Sequence, residues 1–261
     1  MKKKQFVYLI LLQILFTEGC VQQPIEGGLS VPQNSDRAHQ SAKIHTELAA
    51  EYFHRGQLEV AIEEVTEALR ASSNYAPAYN MLGLINMTLN DDVKAQSSFE
   101  RALKISPKDS EIHNNYGWFL CQRFPDRINQ AIQHFMTATK DSLYSTPEKS
   151  YTNAGICELK REDYSAATTF FQQALTVQTN YPSALIGLIE IDFRKGNLQE
   201  AKSKLSRHMQ RAPLTPEGLW LAIQIERALG DRLAEDSYIH QLQKHFPDSK
   251  EATDVRRSAF K

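Results

Sequence analysis

A block of 34 residues recurs along this chain, and that recurrence constrains the fold more than any other feature. The clearest copy is residues 76–109, APAYNMLGLINMTLNDDVKAQSSFERALKISPKD. Tyr79, Leu82 and Gly83 sit at the i, i+3, i+4 spacing of one helical face. Ala95, Phe99, Ala102 and Leu103 form a second stripe of the same kind, and Pro107 ends the unit because proline cannot continue a helix. Two short helices with a turn at residues 89–92 are therefore expected. Gly83 and Ala95 are small where the helices must approach closely, and Phe99 is large where the space between them must be filled. The small slot of the first helix falls at Ala49, Gly83, Gly117, Gly155, Ile189 and Ile223, with gaps of 34, 34, 38, 34 and 34. The small slot of the second helix holds Ala61, Ala95, Ala131, Ala167, Ala201 and Glu235, and the bulky slot four residues on holds Val65, Phe99, Phe135, Phe171, Leu205 and Ile239.

The unit matches the tetratricopeptide pattern W-x2-L-G-x2-Y…A-x3-F…P, with Tyr79 in place of Trp and Asn86 in place of the last Tyr. The expected fold is all-α, a right-handed superhelical solenoid of about six tetratricopeptide helix pairs over residues 42–75, 76–109, 110–145, 148–181, 182–215 and 216–249. Residues 250–261 are expected to add a polar capping helix. Each pair buries its apolar face only against its neighbours, so the core is a strip rather than a ball. The third unit is irregular: Pro125 lies in a lengthened turn, CQRFPDR, and residues 139–147 lengthen the exit.

The N-terminus has a different character. Lys2, Lys3 and Lys4 precede an apolar run, FVYLILLQILF, of secretory length and short for a membrane span. Thr17-Glu18-Gly19-Cys20 follows, and the arrangement resembles a bacterial lipoprotein signal over residues 1–19. That resemblance implies lipidation of Cys20 and, with Val21 next and no Asp retention signal, the outer membrane of a Gram-negative envelope. Residues 20–40, with Pro24, Gly27, Gly28, Pro32 and Asn34, read as a flexible tether that would hang the array about 25 Å from the membrane.

In such arrays the first helix of each unit lines a concave groove. The groove positions hold Phe53 in the first unit, Asn80, Leu84 and Met87 in the second, and Asn114 and Trp118 in the third. Apolar side chains with a few amides suit an extended or helical peptide: the apolar groups supply desolvation and the amides hold backbone polar groups. The alternative fate of Phe53, Leu84 and Met87 is packing on the neighbouring unit.

The third unit also carries a resemblance. NNYGWFLC, running from Asn114 to Cys121 before a Phe-Pro loop, and DSLY, from Asp141 to Tyr144, are similar to the PilW or PilF family of type IV pilus biogenesis lipoproteins. The likeness extends over the lipobox, the tether and six repeats. It implies a pilotin that binds secretin subunits through its groove and promotes their outer-membrane localisation and multimerisation, on the periplasmic face of that membrane. A periplasmic repeat adaptor for another envelope complex shares the same fold and anchor.

With Cys20 lipidated, Cys121 and Cys157 remain, each near the end of the first helix of consecutive units. In an oxidising compartment they form a disulfide, or they stay two buried thiols. Net charge is −1, which gives no electrostatic case for nucleic acid, and Lys and Arg are spread over the units. His240 and His245 are five apart and so point about 140° apart on a helix, unlike metal-ligand pairs. No Walker loop, GxSxG or HExxH stretch is present, and Asp91-Asp92 and Glu63-Glu64 read as solvated surface pairs. The expectation is a binding protein, not an enzyme, without cofactor, metal, nucleic acid or small-molecule substrate.

Overall fold

The computed structural model describes residues 34–211 and 213–258. The expected signal sequence, Cys20, the tether up to residue 33 and the last three residues lie outside the described residues. Thirteen α-helices and one 3-10 turn make up the described secondary structure. They pair in chain order: α1 (Asn34–His54) with α2 (Leu58–Ala71), α3 (Ala76–Thr88) with α4 (Asp92–Ile105), and α5 (Ser110–Arg123) with α6 (Ile128–Ala138). Then come α7 (Pro147–Lys160) with α8 (Tyr164–Val177), α9 (Pro182–Arg194) with α10 (Leu198–Met209), and α11 (Pro216–Leu229) with α12 (Arg232–His245). The last helix, α13 (Lys250–Ser258), lies against α11 and α12. It buries Ala252 and Val255 in the cluster around Leu242.

One expectation is corrected at the start of the array. Residues 34–40 are helical rather than tether, because α1 begins at Asn34. Asp36 lies in its first turn, where a carboxylate favours the helix dipole. Ala38 is half-buried and continues into the stripe Ala42, Thr46 and Ala49, which are all buried. His39 meets the ring of Tyr75 edge-on, 5.0 Å between centroids. The glycines, prolines and amides before this point set a polar composition that masked the first two turns.

In the second, third and fourth units, the bulky slot fills the space left by the small slot. Phe99, Phe135 and Phe171 are fully buried. A Cβ added to Gly83 would stand 2.7 Å from the Phe99 ring, one on Gly117 2.9 Å from Phe135, and one on Gly155 2.7 Å from Phe171. Phe171 is shared, since a Cβ on Gly187 of the next unit would overlap the same ring. The ring therefore joins α7, α8 and α9. The turns between paired helices use a left-handed residue at one register position: Gly56, Asn90, Glu162, Gly196 and Gly230, with φ between 61° and 79°. The third unit replaces that turn with the 3-10 segment Pro125–Arg127, whose Arg127 guanidinium stands 5.2 Å from the centre of the Phe124 ring. Asp91, Asp163 and Asp231 cap α4, α8 and α12 by accepting from the backbone N–H three residues on.

Substituting Gly187→Ala sets two effects against each other. Helix propensity favours alanine by about 1 kcal/mol, while overlap with an immobile buried ring costs about 1–3 kcal/mol. A net loss is expected, read as a lower urea midpoint. Gly196→Ala has open space around the new methyl and pays only for its φ of +79°, about 1 kcal/mol.

Candidate functional site

The two helices of a unit face different surroundings. Each first helix touches the first helix of the next unit, from α1–α3 through to α9–α11, and α11 then touches α13. Among the described residues no second helix touches another second helix. The array is thus close-spaced along the first-helix row and splayed along the second, so the first helices line its concave side.

On that side the second and third units are closed by side chains. Asn80 and Asn114, expected to offer amides to a peptide, are only 7% and 1% exposed, which corrects that expectation. Asn115 Nδ2 donates to Asn80 Oδ1 at 3.3 Å, and Asn114 Nδ2 donates to Asn115 Oδ1 at 3.2 Å. Asn114 Oδ1 accepts from Ser150 Oγ and from Asn153 Nδ2, both at 3.0 Å. The result is a polar seam across α3, α5 and α7. Buried amides must find partners, and the next helix supplies them before any ligand can. Ser150 and Asn153 were not legible as partners from the sequence, since they lie 36 and 39 residues from Asn114.

Phe53, Leu84, Met87 and Trp118 are half-buried. Phe53 packs on the cluster of Ala49 and Val65, and Leu84 joins that cluster to the one around Phe119. Met87 and Trp118 lie against the Phe119 cluster. Cys121 and Cys157 are joined by a disulfide with Cα atoms 5.9 Å apart, which ties α5 to α7. Closing a loop of this length stabilises by about 4 kcal/mol on chain entropy. Beside it Arg123 donates to the Met87 carbonyl at 2.6 Å and to Asn90 Oδ1 at 2.8 Å, and pairs with Asp92 at 3.1 Å. Cys20 lies outside the described residues.

The open part of the concave side lies further along. A cleft of about 550 Å³ is formed by α9, α11, α13 and the turn between α7 and α8. Ile186, Phe193 and Trp220 give it an apolar floor, and Glu162, Glu190, Glu217 and Glu251 stand around it. Arg194 pairs with Glu190 at 2.6 Å, which leaves the remaining carboxylates in excess. Ile186 and Trp220 occupy the slot that Asn80 and Asn114 occupy in their own units, and Phe193 occupies that of Met87. The same register position is thus spent on inter-unit amide bonds early in the array and on an open apolar surface late in it. The departures from consensus in the fifth and sixth units hid this cleft from a reading of the sequence. Its chemistry suits a peptide segment with apolar side chains and a lysine or arginine.

Among the described residues no three His, Cys, Asp or Glu side chains gather as a metal site. No described helix is long and apolar enough to cross a membrane. His113 and His134 bring their Nδ1 atoms to 2.8 Å inside the third unit, across α5 and α6. Burial first, then the His113 ring, hold the pKa of His134 down at about 4. The two imidazoles, 5.1 Å between ring centres, form a contact between packed helices.

The tetratricopeptide repeat family matches residues 76–109, the second helix pair. The crystal structure of PilW, described as a widely conserved type IV pilus biogenesis factor, is 33% identical and superposes with a TM-score of 0.69 over 83% of this chain and 98% of that one. The type IV pilus assembly protein PilF of Pseudomonas aeruginosa is 24% identical over 243 residues, 93% of this chain and 94% of PilF. A solved structure of the Pseudomonas aeruginosa protein superposes with a TM-score of 0.66 over 85% of this chain and 99% of that one.

The seam at Asn114 is testable by stability. Asn114→Ala leaves Asn115, Ser150 and Asn153 short of a partner, and a loss of about 2 kcal/mol in urea unfolding is expected. Glu217→Lys, at the exposed rim of the cleft, is expected to change stability by no more than about 0.5 kcal/mol.

Proposed function

This chain belongs to the family of the type IV pilus biogenesis factors PilW and PilF, and from that premise we propose that it is the pilotin of such a system. Cys20 carries the lipid that holds it on the periplasmic face of the outer membrane. The concave face binds a segment of the secretin subunit, brings it to that membrane and promotes its assembly into the ring through which the pilus passes. Its action is binding and placement rather than catalysis. The 33% identity extending over 98% of PilW is the observation that carries this reading. The cleft of Ile186, Phe193 and Trp220 supplies the means. An aromatic floor desolvates apolar side chains of the segment, and the carboxylates around it select a positive charge nearby. Holding both proteins at one surface raises their effective concentration, so a modest affinity at the cleft suffices for ring formation.

The test is a deletion strain in which secretin multimers are followed on unboiled gels, complemented by variants. Loss of multimers on deletion and their return with the unaltered gene are expected. Trp220→Ala is expected to weaken secretin capture about tenfold. Cys20→Ala is expected to leave multimers in the inner-membrane fraction. Normal multimers in the deletion strain would remove the secretin from the reading and leave a periplasmic adaptor of another envelope complex.

A further inference from the structure

The outer side of the array has a recess of its own. Because α8 and α10 do not touch, the space between them is floored by α9. A cleft of about 470 Å³ opens there, with Leu185, Leu188 and Ile189 among its apolar lining. Lys195, Lys204, Arg207 and Arg211 stand around it with a single carboxylate, Asp192. Lys204 pairs with Asp192 at 2.6 Å, and Glu200, outside the lining, reaches Lys204 at 3.5 Å and Arg207 at 3.7 Å. Lys195 and Arg211 have no carboxylate partner among the described residues. The net charge of −1 for the whole chain conceals this local excess.

A second observation concerns the wall of the cleft. The slot near the end of the second helix holds Ala68, Ala102, Ala138 and Ala174 in the first four units, and His208 in the fifth. His208 is 7% exposed and lines the cleft; its ring nitrogens make no hydrogen bond among the described residues and are not sealed from solvent. Burial, then Arg211, lower its pKa, so at neutral pH the ring presents one N–H and one free lone pair. Those nitrogens open to the cleft, where they meet water or a polar group of a bound chain.

We propose that this outer cleft, between α8 and α10, binds a partner polypeptide segment in which carboxylates alternate with aliphatic side chains. Aliphatic groups cover Leu185, Leu188 and Ile189. Carboxylates pair with Lys195, Arg207 and Arg211, and His208 takes a main-chain group. The cations are dispersed over the turn after α9, α10 and the turn after it, with Asp192 between them. That spacing suits separated carboxylates along a chain and works against one concentrated phosphate. The site is independent of the concave cleft, whose floor belongs to the opposite side of α9 and to α11.

The test uses the full chain in detergent and a fluorescein-labelled octapeptide of alternating leucine and glutamate, read by anisotropy, with its leucine–glutamine twin and phosphatidylglycerol vesicles alongside. The glutamate peptide is expected to bind at least about tenfold more tightly than the glutamine twin. Arg207→Glu with Arg211→Glu, both exposed, is expected to weaken it about tenfold or more, and Lys195→Glu alone to weaken it less. Trp220→Ala, on the concave side, is expected to leave it unchanged. Thermal melts by circular dichroism establish that each variant is folded. Equal binding of the two peptides, or binding indifferent to the charge reversals, would overturn the proposal. Vesicle binding lost in the double variant, with no peptide binding, would also overturn it and place a lipid phosphate in the cleft.

Discussion

The array depends on the contact of a large apolar side chain with a gap where a neighbour has no Cβ. Phe99 lies on Gly83, Phe135 on Gly117, and Phe171 on both Gly155 and Gly187. Each contact sets how closely two helices approach, and in the case of Phe171 how closely one unit approaches the next. Once that distance is set, the row of first helices is continuous and the row of second helices is splayed. Two surfaces follow from one packing rule. One is concave and contiguous. The other is interrupted by recesses, of which the space between α8 and α10 is one.

What a given register position does then depends on the residue placed there. Asn80 and Asn114 face the neighbouring helix, and once buried they must be paired. They bind Asn115, Ser150 and Asn153 and close the concave side of the second and third units. The disulfide between Cys121 and Cys157 and the Arg123 clamp stiffen the same region. Ile186 and Trp220, in the equivalent slot, need no polar partner and leave an apolar surface open. The bracing contacts thus lie in the second to fourth units, and the open cleft in the fifth and sixth.

The helix pairs were legible in the sequence because glycine, alanine, phenylalanine and proline recur at fixed offsets, and sterics leave few other uses for that pattern. The site was less legible. A side chain such as Asn114 can point to solvent or to a neighbouring helix at nearly the same helical angle. Its choice depends on Ser150 and Asn153, which are remote in sequence. Ile189, His208 and Glu235 interrupt the repeat pattern, yet the units that hold them carry both open clefts. Lys and Arg looked evenly spread along the chain, but α10 and the turn after it bring Lys204, Arg207 and Arg211 to one recess. The first turns of α1 were hidden by the polar composition that precedes them.

The proposed seat of a partner chain is the concave cleft of α9 and α11. It is tested most directly by photo-crosslinking in cells, with benzoylphenylalanine placed at Phe193 or Trp220 and, as a control, at the exposed Gln173 on α8. A secretin adduct is expected from positions 193 and 220 and none from 173. No secretin adduct from 193 or 220, or adducts of equal yield from all three, would contradict it.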